Sequence, residues 1–117
     1  METAFFKYLF DFLRQHKVCV NYTLPPQTVY PACECELVES QTYQERALLT
    51  FKVKSYTDGA NQAKLQGYGT AIAHLLEDQM HEFPGKTMVI RLLEQSLVPP
   101  QKGSLRALHQ TYQALVT

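Results

Sequence analysis

A chain of 117 residues, 45% of them hydrophobic and 19% charged, has room for one hydrophobic core and too little for two, so a single domain over 1–117 is expected. Its 11 basic and 11 acidic residues cancel, and Lys52, Lys54, Lys64, Lys86, Arg91, Lys102 and Arg106 are scattered singly; this argues against indiscriminate binding of nucleic acid or an anionic membrane and leaves little repulsion against self-association. No apolar run approaches the ~18 to 20 residues that a membrane-crossing helix needs, so no membrane partner is expected.

Phe5, Leu9, Phe12 and Leu13 recur at three- and four-residue intervals, with Phe6 widening the stripe, and predict an amphipathic helix over 2–16 with Thr3 as its N-cap. Its polar face holds few basic residues, which favours packing on a sheet over lying in a lipid interface. Val18 and Val20 alternate briefly before Pro25 and Pro26, which remove two backbone donors and end regular structure. The stretch from Val29 to Ser40 reads as a strand, with Cys33, Cys35 and Leu37 on one face and Glu34, Glu36 and Val38 on the other. Gln41 to Glu45 is a polar connection.

Ala47 to Tyr56 is a second strand, alternating Leu49, Phe51 and Val53 with Thr50, Lys52 and Lys54. On an antiparallel neighbour the two lysines would sit opposite Glu34 and Glu36, each pair contributing about 0.2–1 kcal/mol and helping to set register. Thr57-Asp58-Gly59 is a turn signal, and from Ala60 a helix is expected to run to Met80 or Glu82. Ala63, Gly67 and Ala71 form a small-residue ridge on it, suited to close approach by a sheet, a helix or another subunit. Gly67 and Gly69 each lower helicity by roughly 1 kcal/mol relative to alanine, so large residues there should be harmful. After Pro84-Gly85, Thr87 to Val98 reads as a strand with a bulge near Leu93, and Pro99 to Gly103 as an exposed linker. The last segment is ambiguous: Leu105, Leu108, Tyr112 and Leu115 have helical spacing, while Leu108, Tyr112, Ala114 and Val116 also fit one face of a strand.

Little in the chain reads as chemistry. Cys19, Cys33 and Cys35 are odd in number and follow no apolar leader, so reduced thiols are expected, with Cys33 and Cys35 as small buried hydrophobes. His74, Glu77, Asp78 and His81 would share a face of the second helix, where a metal pair and a surface ion pair are both conceivable; no third ligand is evident, and the ion pair is the expectation. No serine sits in a nucleophile elbow, and Gly67-Tyr68-Gly69 lacks the third glycine, strand and lysine of a phosphate loop. No catalytic residue, cofactor or metal is therefore expected. The seven tyrosines suit interfaces, and Tyr22, Tyr30 and Tyr43 are candidates for such contacts.

Element order is more telling than any motif. An amphipathic helix with Leu9 and Leu13, a Tyr30-Pro31 strand entry, the Phe51 to Tyr56 strand with Asp58-Gly59, and a helix around Ala71 to Leu75 together resemble the small tail-completion or tail-terminator proteins of long-tailed bacteriophages and prophages. The resemblance implies an α+β domain in which the last segment, Leu105 to Val116, is a strand, giving a mostly antiparallel four-stranded sheet with two helices packed on one face. It implies a non-catalytic minor tail protein, assembled in the host cytoplasm and carried in the virion tail. Such a protein forms a homo-oligomeric ring, usually a hexamer, on the phage tail tube protein, meets the head-tail connector protein, and lets DNA pass only through its lumen. Candidate interface residues are then Tyr22, Leu24, Tyr30, Tyr43, Arg46, Lys52 and Lys54. A head-side connector protein and a small intracellular dimeric adaptor domain share the same composition and remain open alternatives.

Overall fold

A computed structural model describes residues 2–58, 62–83, 85–98 and 106–117. Helix α1 (Glu2–Gln15) is followed by β1 (Val20–Asn21), β2 (Ala32–Tyr43), β3 (Arg46–Thr57), α2 (Gln62–Glu77), β4 (His81–Phe83), β5 (Lys86–Val98) and β6 (Arg106–Val116). The strands form one sheet in the order β1-β2-β3-β6-β5-β4, antiparallel throughout except for the short parallel β1–β2 contact. The expectation of four strands is therefore corrected to six, in a sheet curled into a half-barrel. The two extra strands hold only two and three residues, too few for any periodicity to register, and backbone pairing alone defines them.

Helix α1 buries Phe5, Phe6, Leu9, Phe10 and Leu13. Thr3 lies inside the helix rather than capping it. Its C-terminus closes with Lys17 in the left-handed region (φ 63), the Lys17 N–H donating to the Arg14 carbonyl and the Val18 N–H to the Leu13 carbonyl. That is the pairing by which a left-handed residue satisfies the last carbonyls of a helix, and buried Val18 packs in the same cluster as Leu13. The Phe5 ring meets Phe51 edge-on at 5.2 Å from Phe6 and 5.1 Å from Phe51, tying α1 to the middle of β3.

Helix α2 presents Leu65, Gly69, Ile72 and Leu76 to the sheet. It ends at Glu77, short of the predicted Met80 or Glu82, because His81 is drawn into β4. The ridge of Ala63, Gly67 and Ala71 faces solvent, and a Cβ at Gly67 would meet nothing within 4 Å. Close approach belongs to Gly69: a Cβ there would stand 2.3 Å from Leu108 Cδ2, and its carbonyl accepts a 3.0 Å hydrogen bond from Gln110 Nε2. Gly59 and the linker 99–103 lie outside the described residues, as does Leu105.

Segment 106–116 is a central strand, paired with β3 on one side and β5 on the other. Leu108, Gln110, Tyr112, Ala114 and Val116 face the helices, and Leu115, which supported the helical spacing, is 44% exposed on the opposite face. Two bulges interrupt the ladders, between Leu37 and Glu39 in β2 and between Leu92 and Glu94 in β5, the second where the sequence predicts one. Leu37 pairs with Phe51, Phe51 with Tyr112 and Tyr112 with Leu92, so both bulges stand at one level of the sheet. Each extra residue adds twist and bends its strand there, which accounts for curling about the Phe51–Tyr112 row, whose rings stack at 5.4 Å.

Candidate functional site

The predicted interface residues fall in three places. Tyr22 and Leu24 lie in the segment after β1, where Tyr22 stacks edge-on against Phe10 (4.7 Å) and Phe6 (5.5 Å) yet remains 60% exposed. The Leu24 N–H donates to Glu34 Oε2 at 2.8 Å, and Tyr30 precedes the cis Pro31 that leads into β2. Tyr43 and Arg46 pair across the tip of the β2–β3 hairpin. A 12-residue strand is roughly 36 Å long, so the hairpin tip and the Tyr22–Tyr30 segment stand at opposite ends of the molecule.

Lys52 and Lys54 lie between these ends, on the sheet face away from the helices. Lys54 is directly opposite Glu34 and Lys52 opposite Glu36, as the sequence suggests. The ion pair itself is diagonal, Lys54 Nζ to Glu36 Oε1 at 3.2 Å, because Glu34 is already engaged by the Leu24 amide and by the Tyr56 hydroxyl at 3.2 Å. Burial, followed by the charge of Glu34, pushes the Tyr56 hydroxyl up to about 12, so it serves as a donor. His109 is held below the usual histidine value by burial and then by Lys54 and Lys52.

On the same face an apolar row runs across three strands: Leu48 pairs with Leu115, and Leu115 with Val89. With Arg91 and Gln113 these side chains line a shallow depression. Only cross-strand register brings them together, so sequence reading had no signal for the row.

The acidic and histidine residues of the second helix separate. His74 Nδ1 contacts Asp78 Oδ2 at 2.8 Å on the surface, the expected ion pair. Glu77 instead accepts the Leu92 amide at 2.9 Å. His81 is buried in β4, its Nδ1 2.7 Å from the Tyr8 hydroxyl and its Nε2 2.8 Å from the Leu76 carbonyl. A carbonyl only accepts, so Nε2 carries the proton and Nδ1 accepts from Tyr8. Burial holds this imidazole below its ordinary value. Cys33 and Cys35 are buried free thiols and Cys19 an exposed one; a hydrogen bond with Cys33, then burial, raises Cys35 well above the ordinary thiol range, away from nucleophilic use. Among the described residues no three His, Cys, Asp or Glu side chains converge as a metal site.

The class defined by this geometry is a small α+β domain: a curled six-stranded sheet, two helices on one face, and a second face open to contacts. No protein-family model matches the chain, and no curated protein matches it. Among solved structures it is similar in fold to a chain of one described as "Virion of native gene transfer agent (GTA) particle", with a TM-score of 0.69 and 16% identity over 99% of this chain and 93% of that one.

Proposed function

We propose that this protein is a structural subunit of a phage-tail-like particle, forming a ring at the end of the tail tube that terminates tail growth and offers a surface for joining the head. The observation that carries the reading is the fold likeness to a chain of a gene transfer agent virion over nearly the whole length of both chains. The element order that resembles tail-terminator proteins supports it independently of that likeness. Zero net charge and an uncovered sheet face suit a subunit whose surfaces are buried by neighbours. The partners in this reading are further copies of the chain, the tail tube protein and the head-tail connector protein, with DNA passing through the lumen.

Negative-stain microscopy of the purified protein, alone and mixed with tail tube protein, tests the reading. Rings on the tube end are the expected result. A strictly monomeric mass by light scattering in the presence of tube protein would overturn it, and particles seated on the head side of the joint would transfer the role to a connector.

A further inference from the structure

Resting on the ring reading, we infer that neighbouring subunits join edge to edge, the free half of β5 in one copy pairing with the free half of β2 in the next, so that one sheet runs from copy to copy. The outer strands are covered only in part. Among the described residues β1 pairs with Cys33 and Glu34 alone, leaving β2 free over 38–43. β4 covers β5 only from Lys86 to Met88, and the Glu77 carboxylate takes the Leu92 amide, so that 93–98 is free of any partner among the described residues. An open strand edge offers unpaired donors and acceptors, and folded proteins blunt such edges with lysine, proline or a cover. Neither stretch holds a lysine or a proline, and each holds a single charge, Glu39 or Glu94. Val38 is 55%, Tyr43 75%, Leu93 45% and Leu97 39% exposed, so both stretches also carry uncovered apolar surface.

The occupant that fits is a second copy. Three antiparallel steps separate β2 from β5, so the two edge strands run in opposite directions. A rotated copy therefore brings its β2 to this β5 in antiparallel sense, continuing the existing ladder pattern. The free halves lie at opposite ends of the sheet: Glu94 to Val98 are level with Ala107 to Thr111, and through β3 with Ala32 to Glu36, whereas Glu39 to Tyr43 are level with Arg46 to Thr50. Their meeting requires a stagger between copies, and stagger is what a curled sheet needs in order to close. Each bulge stands at the start of its free stretch and bends that arm as a unit. Joining unlike edges in a ring leaves no edge open, whereas pairing like edges in a dimer leaves the other kind exposed.

The test is cysteine cross-linking in a Cys19→Ser background, with Leu97→Cys and either Ser40→Cys or Thr42→Cys, made singly and together and oxidised before a non-reducing gel. Ladders ending at ring mass in a double variant, with monomers from each single one, are expected. Dimers from a single variant would show like edges meeting and overturn the inference. Rings in micrographs without ladders from either double variant would overturn the edge joint while leaving the ring reading intact; monomers throughout, with tube protein present, would overturn both. In parallel, Leu97→Lys should abolish the ring while the separate subunit still melts in one cooperative transition, and a ring that survives this charge overturns the inference.

Discussion

The middle of the sheet and its two free arms are built from strands of the same alternation, yet only the middle is sealed. At the level of Phe51 and Tyr112 both rings are fully buried and stacked under α1 and α2, whereas on the flanking strands β2 and β5 Val38, Tyr43 and Leu93 stand in solvent. The difference lies in what covers each part. Two helices of 14 and 16 residues, about 21 and 24 Å long at 1.5 Å per residue, cannot roof strands of 12 and 13 residues that run roughly 36 to 40 Å. The middle stabilises the fold, and the arms stay exposed.

The strongest way to break this contrast is to truncate both regions. Phe51→Ala should cost about 3–5 kcal/mol by leaving a cavity beneath Phe5 and Tyr112, while Val38→Ala should change the unfolding free energy from denaturant titration by less than about 0.5 kcal/mol. Equal losses would mean that the arm is as well packed as the centre. A sharper test uses two glycines two residues apart, on opposite faces of α2. Gly69→Ala should cost about 1–3 kcal/mol through overpacking against Leu108 and Gln110, less whatever helix propensity returns. Gly67→Ala, with open space at its Cβ, should gain up to about 1 kcal/mol. A loss at Gly67 in a solution where the protein is assembled, and a gain where it is monomeric, would place the Ala63-Gly67-Ala71 ridge in a subunit contact.

Acid should act next, through His81 in the sealed region and His109 on the open face. His81 and His109 are depressed in the fold, so the unfolded chain binds more protons once pH drops below the ordinary value of 6.5. Their contribution is complete above that value and declines as pH falls toward the folded-state values. The melting temperature should therefore drop as pH falls below about 6.5, and His81→Leu should flatten part of that slope while also losing two hydrogen bonds worth about 0.5–1.5 kcal/mol each. An unchanged slope would assign the acid sensitivity to His109. The smallest effect is expected on the open face, where Lys54→Glu should cost about 0.2–1 kcal/mol by disrupting the pair with Glu36. Glu36→Lys in the same chain should restore most of it; no recovery in thermal melts would remove the pair from the forces setting β2–β3 register.

Much of this was legible because it is local. The Phe5-Leu9-Leu13 stripe, the alternation from Leu49 to Val53, the Glu34 and Glu36 rows facing Lys52 and Lys54, and the irregularity at Leu93 are all periodic signals written in consecutive residues. Strand ends were less visible: β2 runs on to Tyr43 because its ladder with β3 continues to Arg46, though its last residues look like a polar connection. Tyr22 and Tyr43 stand exposed, but the separation of the candidate contact residues into two ends and a middle had no signal in the sequence.

By itself the sequence determined the two helices, the paired long strands β2 and β3 and a lack of any recognisable catalytic motif, since residue order and period suffice for these. Tertiary structure decided what depends on neighbours distant in the chain. Leu108 to Val116 became a strand because β3 and β5 satisfy its backbone on both sides. Gly69 rather than Gly67 became the point of close approach because of where Leu108 and Gln110 sit. Two very short strands turned an expected four-stranded sheet into six while leaving half of each edge uncovered by the described residues, and that incomplete cover is set by register, which no single segment encodes.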